Sequence, residues 1–549
     1  MRSNPYFILL AVVAFIRSFS VDAGAADHLR DLQTAAIEQG HSPAAHWGND
    51  PEKYRQWGSH SLRLVLAYAF GTRGAGTGVD LDGYLGENSI YRSEAELRRV
   101  YGFVPSNTLN SEACYCDQTD IAELQRAAIR AGKKFVFLVV FDGMDWQTTQ
   151  AAAIYRSGNV DYSEGRGSGL HFLDYTAGGN TQYGAVCTAP HNGGTKTDVD
   201  AQTVLNPGGT QPGGYDPVRG GAWPWSAGSD HNYRLGLSSD GSPGEHVYPD
   251  SSSTATALCT GVKTYNSAVG VDPSGEPVVS GAHEAQERGW SIGLVTSVPI
   301  SHATPASAYA HNVNRSDYQD LTRDLLGRPS ISHPDDPLPG VDVLIGGGWG
   351  MTKSESKSQG QNFVPGNPWL AEGDLAAIDA DEGGRYVVGQ RTAGAAGRDV
   401  SQEAADRAAG SDSRLFGFFG VGRYGGHLPY QTADGDYRPA PGKKGAEEYS
   451  DADVTENPTL SEMTQAALTV LERNQTGFWM MVEAGDVDWA NHANNLDNSI
   501  GAVISGDEAV QVITDWVESH SNWDESLLIV TADHGHDLNL LQPAALVGP

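Results

Sequence analysis

Carboxylates and imidazoles recur at one kind of place in this sequence, just after a short apolar run. Asp142 follows Phe135–Phe141, Glu483 follows Phe478–Val482, and Asp533-His534-Gly535-His536 follows Leu527–Thr531. Asp488 and His492 come soon after Glu483 in EAGDVDWANH, and His302 and Thr304 trail the run Ile292–Thr296. A single acidic residue after a strand also serves as a helix cap or a turn residue. The set is harder to set aside. Carboxylates with imidazoles and no Cys suit Zn²⁺ at a catalytic site, and carboxylates with a Thr hydroxyl suit a hard ion such as Mg²⁺. A second element is the run Pro249-Asp250-Ser251-Ser252-Ser253-Thr254-Ala255-Thr256-Ala257. Small residues running on from Ser251 place a serine at a helix N-terminus, where free N–H groups and the helix dipole favour a phosphate. The same run also fits a plain N-cap with a solvated first turn.

The elements that must position these groups read as an α/β fold. Phe135–Phe141 is unbroken apolar sequence bounded by Lys133-Lys134 and Asp142-Gly143, the pattern of a strand buried on both faces of a parallel sheet. Similar runs occur at Ile292–Thr296, Val341–Ile345, Phe478–Val482 and Leu527–Thr531. Helical patterns fall at Asp27–Gln39 and Ile121–Ala131, and a capping box at Thr459–Glu462 opens a helix to about Asn474. Alternating strands and helices predict a three-layer α/β sandwich with a central, mostly parallel sheet flanked by helices. In such sheets ligands bind beyond the carboxyl ends of the strands, where the acidic and imidazole residues fall. Residues 26–132 read as a helical and loop region without obvious chemistry, and 133–549 as the core. Within the core, 155–245 and 355–455 are rich in Gly, Pro, Asp and Ser and read as large loop insertions. The stretch Gly208–Ser226 is expected to be a plain surface loop, with a substrate entrance or a glycan-facing surface as the alternative.

Composition narrows the function. With 39% hydrophobic and 9% aromatic residues among 549, the chain is too apolar for disorder. A net charge of −32 disfavours binding to nucleic-acid phosphates. Arg2, the apolar stretch Tyr6–Ile16 and the small residues Ala23, Ala25 and Ala26 read as a secretory signal over residues 1–25. Export would leave a protein with no membrane span, secreted or periplasmic. Cys114, Cys116, Cys187 and Cys259 are too few for a disulfide framework and read as structural, although export would permit bridges.

The run from Pro249, with Thr260-Gly261-Val262-Lys263-Thr264-Tyr265-Asn266 behind it, resembles the nucleophile segment of the alkaline phosphatases. The resemblance extends over residues 133–549 through Asp142-Gly143-Met144, His302-Ala303-Thr304-Pro305, Arg315, the Glu483/Asp488/His492 set and Asp533-His534-Gly535-His536, in the family's order. It implies a phosphate monoester hydrolase in which Ser251, next to Asp250, takes the phosphoryl group as a phosphoserine. Two zinc ions and one magnesium ion are implied with it. Asp142 would bridge the second zinc and the magnesium, Asp533 and His534 would complete that zinc, Thr304 and Glu483 would complete the magnesium site, and Asp488 and His492 would hold the first zinc. Arg315 would clamp phosphate with its planar fork, and His536 would steady a ligand carboxylate. The pairing of His302 with Trp489 resembles the animal and some marine bacterial members and would tune the magnesium site. A homodimer is also implied.

The chain departs from the family at one point. The first zinc there takes a third ligand from a His well downstream of the Asp-His-x-His motif, and no His follows His536. A truncated chain is the favoured explanation, with an upstream His or a weakly held zinc as the others. A phosphodiesterase of the same superfamily would carry a Thr nucleophile, and a sulfatase a Cys/Ser-x-Pro-x-Arg motif that residues 250–257 lack. A catalytically silent metal- or phosphate-binding protein is the reading from another class.

Overall fold

The computed structural model describes residues 27–548 except Trp57 and Thr77, so the expected signal segment lies outside the described residues. Ten strands form one sheet: β1 (Val65–Phe70), β2 (Cys116–Asp117), β3 (Phe135–Phe141), β4 (Thr181–Cys187), β5 (Ser291–Pro299), β6 (Val343–Gly347), β7 (Tyr386–Gln390), β8 (Arg414–Phe418), β9 (Phe478–Ala484) and β10 (Ser526–Ala532). Their order is β7-β8-β6-β5-β9-β3-β10-β1-β4-β2. Every neighbouring pair is parallel except β10–β1 and β1–β4. β1 alone therefore runs backwards, and the sheet is mostly parallel as expected.

The five apolar runs form the contiguous block β6-β5-β9-β3-β10 in the middle of this sheet. β3 is buried from Val136 to Phe141 between β9 and β10, which is why its sequence has no polar alternation. The other strands escape that signature. β4, β7 and β8 come from the stretches expected to be insertions, and β1 and β2 from the region expected to be helices and loops. Helices flank the sheet in two sets. One includes Leu496–His520, Leu460–Leu471 and Trp146–Ser157; the other includes Gln118–Arg130 and Ser251–Thr260. The capping box at Thr459 is formed with Glu462, and that helix ends at Leu471. All four cysteines are free thiols.

Strand register lines up the residues that leave the sheet. Thr296 of β5 lies opposite Glu483 of β9, Glu483 opposite Val140 of β3, and Val140 opposite Thr531 of β10. The strands thus end level with one another. Asp142 and Asp533 are the first residues past β3 and β10, so the sheet delivers its acidic residues in one row at its carboxyl edge.

Candidate active site

Ser251 is the first residue of the helix Ser251–Thr260, and Asp250 is its N-cap, accepting from the backbone N–H of Ser253. The cap does more than close a helix. Asp250 also accepts from the N–H of Ser267 at 3.0 Å and from Arg315 Nη1 at 3.1 Å. Ser251 Oγ is buried and stands 3.2 Å from Asp142 Oδ1 and 3.2 Å from His534 Nε2. The serine expected at a helix N-terminus is therefore held against two of the expected metal ligands.

Three clusters of potential ligand atoms meet around it: Asp142, Asp533 and His534; Asp142, His302 and Glu483; and His60, Asp488, His492 and His536. Asp142 belongs to two of them, as a bridging carboxylate would. Asp533 Oδ1 accepts from the N–H groups of Gly143 and His534, and its Oδ2 from Thr254 Oγ1 at 3.1 Å. Gly143 has φ +72°, and a Cβ there would lie 2.7 Å from His536 Cδ2 and 3.0 Å from Asp488 Cα. Only glycine allows that turn of the chain between the two ligand clusters.

Electrostatics point to cations. Burial, with the charges of Asp488 and Glu483, raises the Asp142 carboxyl well above its ordinary value; burial pushes Glu483 up to about 8 and Asp533 up to about 7. Asp142 Oδ2, Glu483 Oε1, Thr304 Oγ1 and His302 Nδ1 are all buried without a hydrogen-bond partner. Orphaned polar atoms of this kind are costly unless something binds them. Thr304 lies close enough to Glu483 to favour its charged form. Burial and the Arg315 charge push His302 down to about 3, so its imidazole is neutral, and its ring packs edge-on to Trp489 with centroids 5.5 Å apart.

His60 is not among the residues that the sequence singles out. It lies in the region where no chemistry is expected, yet its Nε2 is 3.2 Å from His492 Nε2 and 3.5 Å from Asp488 Oδ1. Its Nδ1 is 2.8 Å from the carbonyl of Pro249, and His492 Nδ1 is 2.6 Å from the carbonyl of Gly58. Carbonyls only accept, so each ring carries a proton on Nδ1 and turns its Nε2 inward. Two inward-facing Nε2 atoms 3.2 Å apart beside a buried carboxylate are spaced to share a cation; Zn–N bonds near 2.05 Å in a tetrahedron give an N···N edge of about 3.3 Å. His536 Nε2 lies 2.6 Å from Asp488 Oδ1, a ligand carboxylate of the kind the family resemblance gives it to steady. Burial opposes the charged form of Asp488, but His492, His536 and His60 together hold its carboxyl well below the ordinary range.

A cleft of about 670 Å³ opens over these groups, lined by Ser251, His60, Asp488, His492, His302 and Arg315 among others. The 355–455 stretch contributes Tyr424, Tyr430, Lys443 and Glu447 to its lining. No residue of 208–226 lines it. All the residues expected from sequence at the two zinc sites and the magnesium site converge here. His60 leaves one signal, a histidine in a Gly-Ser-His-Ser string, too weak to find alone.

A family model described as alkaline phosphatase matches residues 226–544, more than half of the chain. Alkaline phosphatase 4 of Bacillus subtilis is 30% identical over 288 residues, which cover 52% of this chain and 49% of that protein. The alkaline phosphatase of Escherichia fergusonii is 30% identical over 306 residues, 54% of this chain and 59% of that one. The chain thus spans about half the length of the curated relatives it matches. Among solved structures, the cold-active enzyme from Shewanella sp. matches with a TM-score of 0.41 and 21% identity, covering 73% of this chain and 68% of that one. With the family match extending over more than half its residues, the chain belongs to the alkaline phosphatase family.

Proposed function

We propose that this protein hydrolyses phosphate monoesters through a phosphoserine at Ser251, with two zinc ions and one magnesium ion in its cleft. The observation that carries the reading is the position of Ser251 Oγ, at a helix N-terminus and 3.2 Å from both Asp142 Oδ1 and His534 Nε2. Asp488, His492 and His60 fit the first zinc, with His536 orienting Asp488. Asp142, Asp533 and His534 fit the second. Asp142, Thr304 and Glu483 fit the magnesium, with His302 and Trp489 beside it. When bound, these ions supply positive charge to the attacking and leaving oxygens of an in-line displacement and lower the pKa of the hydroxyl and then of a water.

Ser251 Oγ gives its proton to solvent and forms a bond to phosphorus as the ester P–O bond breaks, and the departing alcohol takes a proton from solvent. Water then breaks the Oγ–P bond, releases inorganic phosphate and returns a proton to Ser251. Arg315 holds two phosphate oxygens with its planar fork. Asp250 caps the Ser251 helix and grips Arg315 Nη1, so one carboxylate sets the spacing between nucleophile and clamp. The sequence of residues 1–25 supports export to a secreted or periplasmic site, and no helix among the described residues is long and apolar enough to cross a membrane. A homodimer belongs to the same reading. The silent-protein alternative rests on an incomplete first zinc site, and the place of His60 beside Asp488 and His492 supports the complete one.

The test is hydrolysis of p-nitrophenyl phosphate at alkaline pH by metal-stripped protein resupplied with Zn²⁺ and Mg²⁺, beside Ser251→Ala. Metal-dependent turnover, with an acid-stable phosphoenzyme absent from the variant, is expected. Near-normal turnover by Ser251→Ala would refute the nucleophile.

A further inference from the structure

A second group of imidazoles and a carboxylate lies away from the cleft. His311, Asp324 and His333 bring one ligand atom each within 4.8 Å of the others, and none of them lines the cleft. His311 precedes the helix Tyr318–Leu326, Asp324 is in its last turn, and His333 follows it. Unlike the residues around Ser251, these lie on one contiguous stretch of chain.

Asp324 is fully buried. Ser330 Oγ donates to its Oδ1 at 2.5 Å, and the backbone N–H of His311 donates to its Oδ2 at 3.0 Å. Its one ion-pair partner among the described residues is His333, whose Nε2 is 3.9 Å away. Burial pushes the Asp324 carboxyl up to about 7, because its charge has too little to face. A carboxylate in that position is stabilised by a cation.

The imidazoles are turned for one. His311 Nε2 is 3.1 Å from the carbonyl oxygen of Val278. That oxygen only accepts, so the proton of the neutral ring sits on Nε2 and Nδ1 presents a lone pair. Burial holds His311 down to about 3, so the ring is neutral. Nδ1 lies 2.9 Å from His333 Nε2. A histidine whose far N–H is fixed by a backbone carbonyl, with its near nitrogen beside a second imidazole and a buried carboxylate, has the arrangement typical of a metal ligand. His283 packs on His311 with ring centroids 5.2 Å apart, but the N–H of Ser280 donates to its Nδ1 at 3.2 Å. Its own proton therefore sits on Nε2, and it is not a ligand.

We propose that His311 Nδ1, Asp324 Oδ2 and His333 Nε2 bind a divalent transition-metal ion of the zinc class, separate from the ions of the cleft. Two imidazoles, one carboxylate and an open fourth position suit zinc. The His333 side chain is 18% exposed and gives solvent its way in to complete the shell. The ion ties the turn that leads into Arg315 to the helix and loop beyond it. Its role is to brace the segment that carries the phosphate clamp, and its existence does not depend on how the cleft works.

The test uses the full chain. Wild type, His333→Ala and His333→Gln are dialysed to equilibrium against the same excess of Zn²⁺, and bound zinc is counted by elemental analysis, with circular dichroism as the check on folding. Each variant is expected to hold one zinc equivalent fewer than wild type. With Co²⁺ in place of Zn²⁺, the difference spectrum between wild type and variant should show the visible bands of a single tetrahedral ion. A folded variant that holds as much zinc as wild type overturns the proposal.

Discussion

Replacing His60 by alanine removes the Nε2 that stands 3.2 Å from His492 Nε2 and 3.5 Å from Asp488 Oδ1. Partners that only orient a metal ligand contribute roughly 10–100-fold to affinity, so losing a ligand atom should cost at least about 100-fold, or about 2.7 kcal/mol. His536→Ala supplies the internal scale. His536 touches the site through Asp488 Oδ1, and its loss should fall within the 10–100-fold range. Zinc affinity of the first site is measured by competition with a chromophoric chelator, and melting temperatures are taken with and without zinc. The metal-free melt isolates packing, since the His60 ring stacks on His534 with centroids 3.9 Å apart and truncation costs roughly 1–3 kcal/mol whatever the metal does. At a zinc concentration 100 times the wild-type Kd, binding adds about 2.7 kcal/mol, and a 100-fold weaker site retains only about 0.4 kcal/mol of it. Unchanged affinity and an unchanged zinc-dependent gain in His60→Ala would refute the assignment and leave His536 as the third ligand.

Two other substitutions probe different parts of the molecule. Arg315→Ala removes a guanidinium that Asp250 holds at 3.1 Å. Charge-assisted hydrogen bonds contribute about 1.5–3 kcal/mol each, so the inhibition constant for inorganic phosphate should rise at least about 10-fold, and an unaltered constant would remove Arg315 from the phosphate site. Asp507 accepts from the N–H groups of His171 and Phe172 at 2.8 and 3.0 Å, and burial pushes its carboxyl up to about 6 from 3.8. The folded state therefore holds the Asp507 proton more tightly than the unfolded chain does, and the stability this contributes at acid pH is lost as pH rises from about 4 to about 6, on the order of 2 kcal/mol. Urea titrations across that window should give a flatter pH dependence for Asp507→Asn than for wild type, and equal slopes would contradict the assignment.

The parts of the fold legible in the sequence are those where one physical demand dominates. β3, β9 and β10 are covered on both faces, so β3 is apolar from end to end and β9 and β10 carry the unbroken apolar runs Phe478–Val482 and Leu527–Val530. β4 reads Thr-Gln-Tyr-Gly-Ala-Val-Cys with Tyr183 exposed, and β7 ends on an exposed Gln390. Near a sheet edge the burial demand relaxes, glycine and polar residues enter, and the pattern merges with the surrounding loops. The site divides the same way. Asp142, Glu483 and Asp533 are legible because a parallel strand in register must hand its next residues to the shared edge. The pairing of Arg315 with Asp250 joins parts of the chain whose proximity no local pattern encodes, and only the likeness to a family brings Arg315 forward.

His60 is invisible to a reading of strand ends because it precedes a strand. β1 is the one reversed member of the sheet, pairing antiparallel with β10 so that Ala67 lies opposite Thr531 and Phe70 opposite Leu528. A reversed strand begins at the edge where its parallel neighbours end. The residues just before Val65 are thereby carried to the carboxyl edge of the sheet, and the backbone of Ser61 donates to the carbonyl of Gly535 at 2.7 Å, within the Asp533–His536 segment itself. That bridge sets His60 against His534 and His536. An open parallel sheet can therefore take a ligand from either side in sequence: after a strand that runs with the sheet, or before one that runs against it. In this chain the proposed first zinc site draws on both.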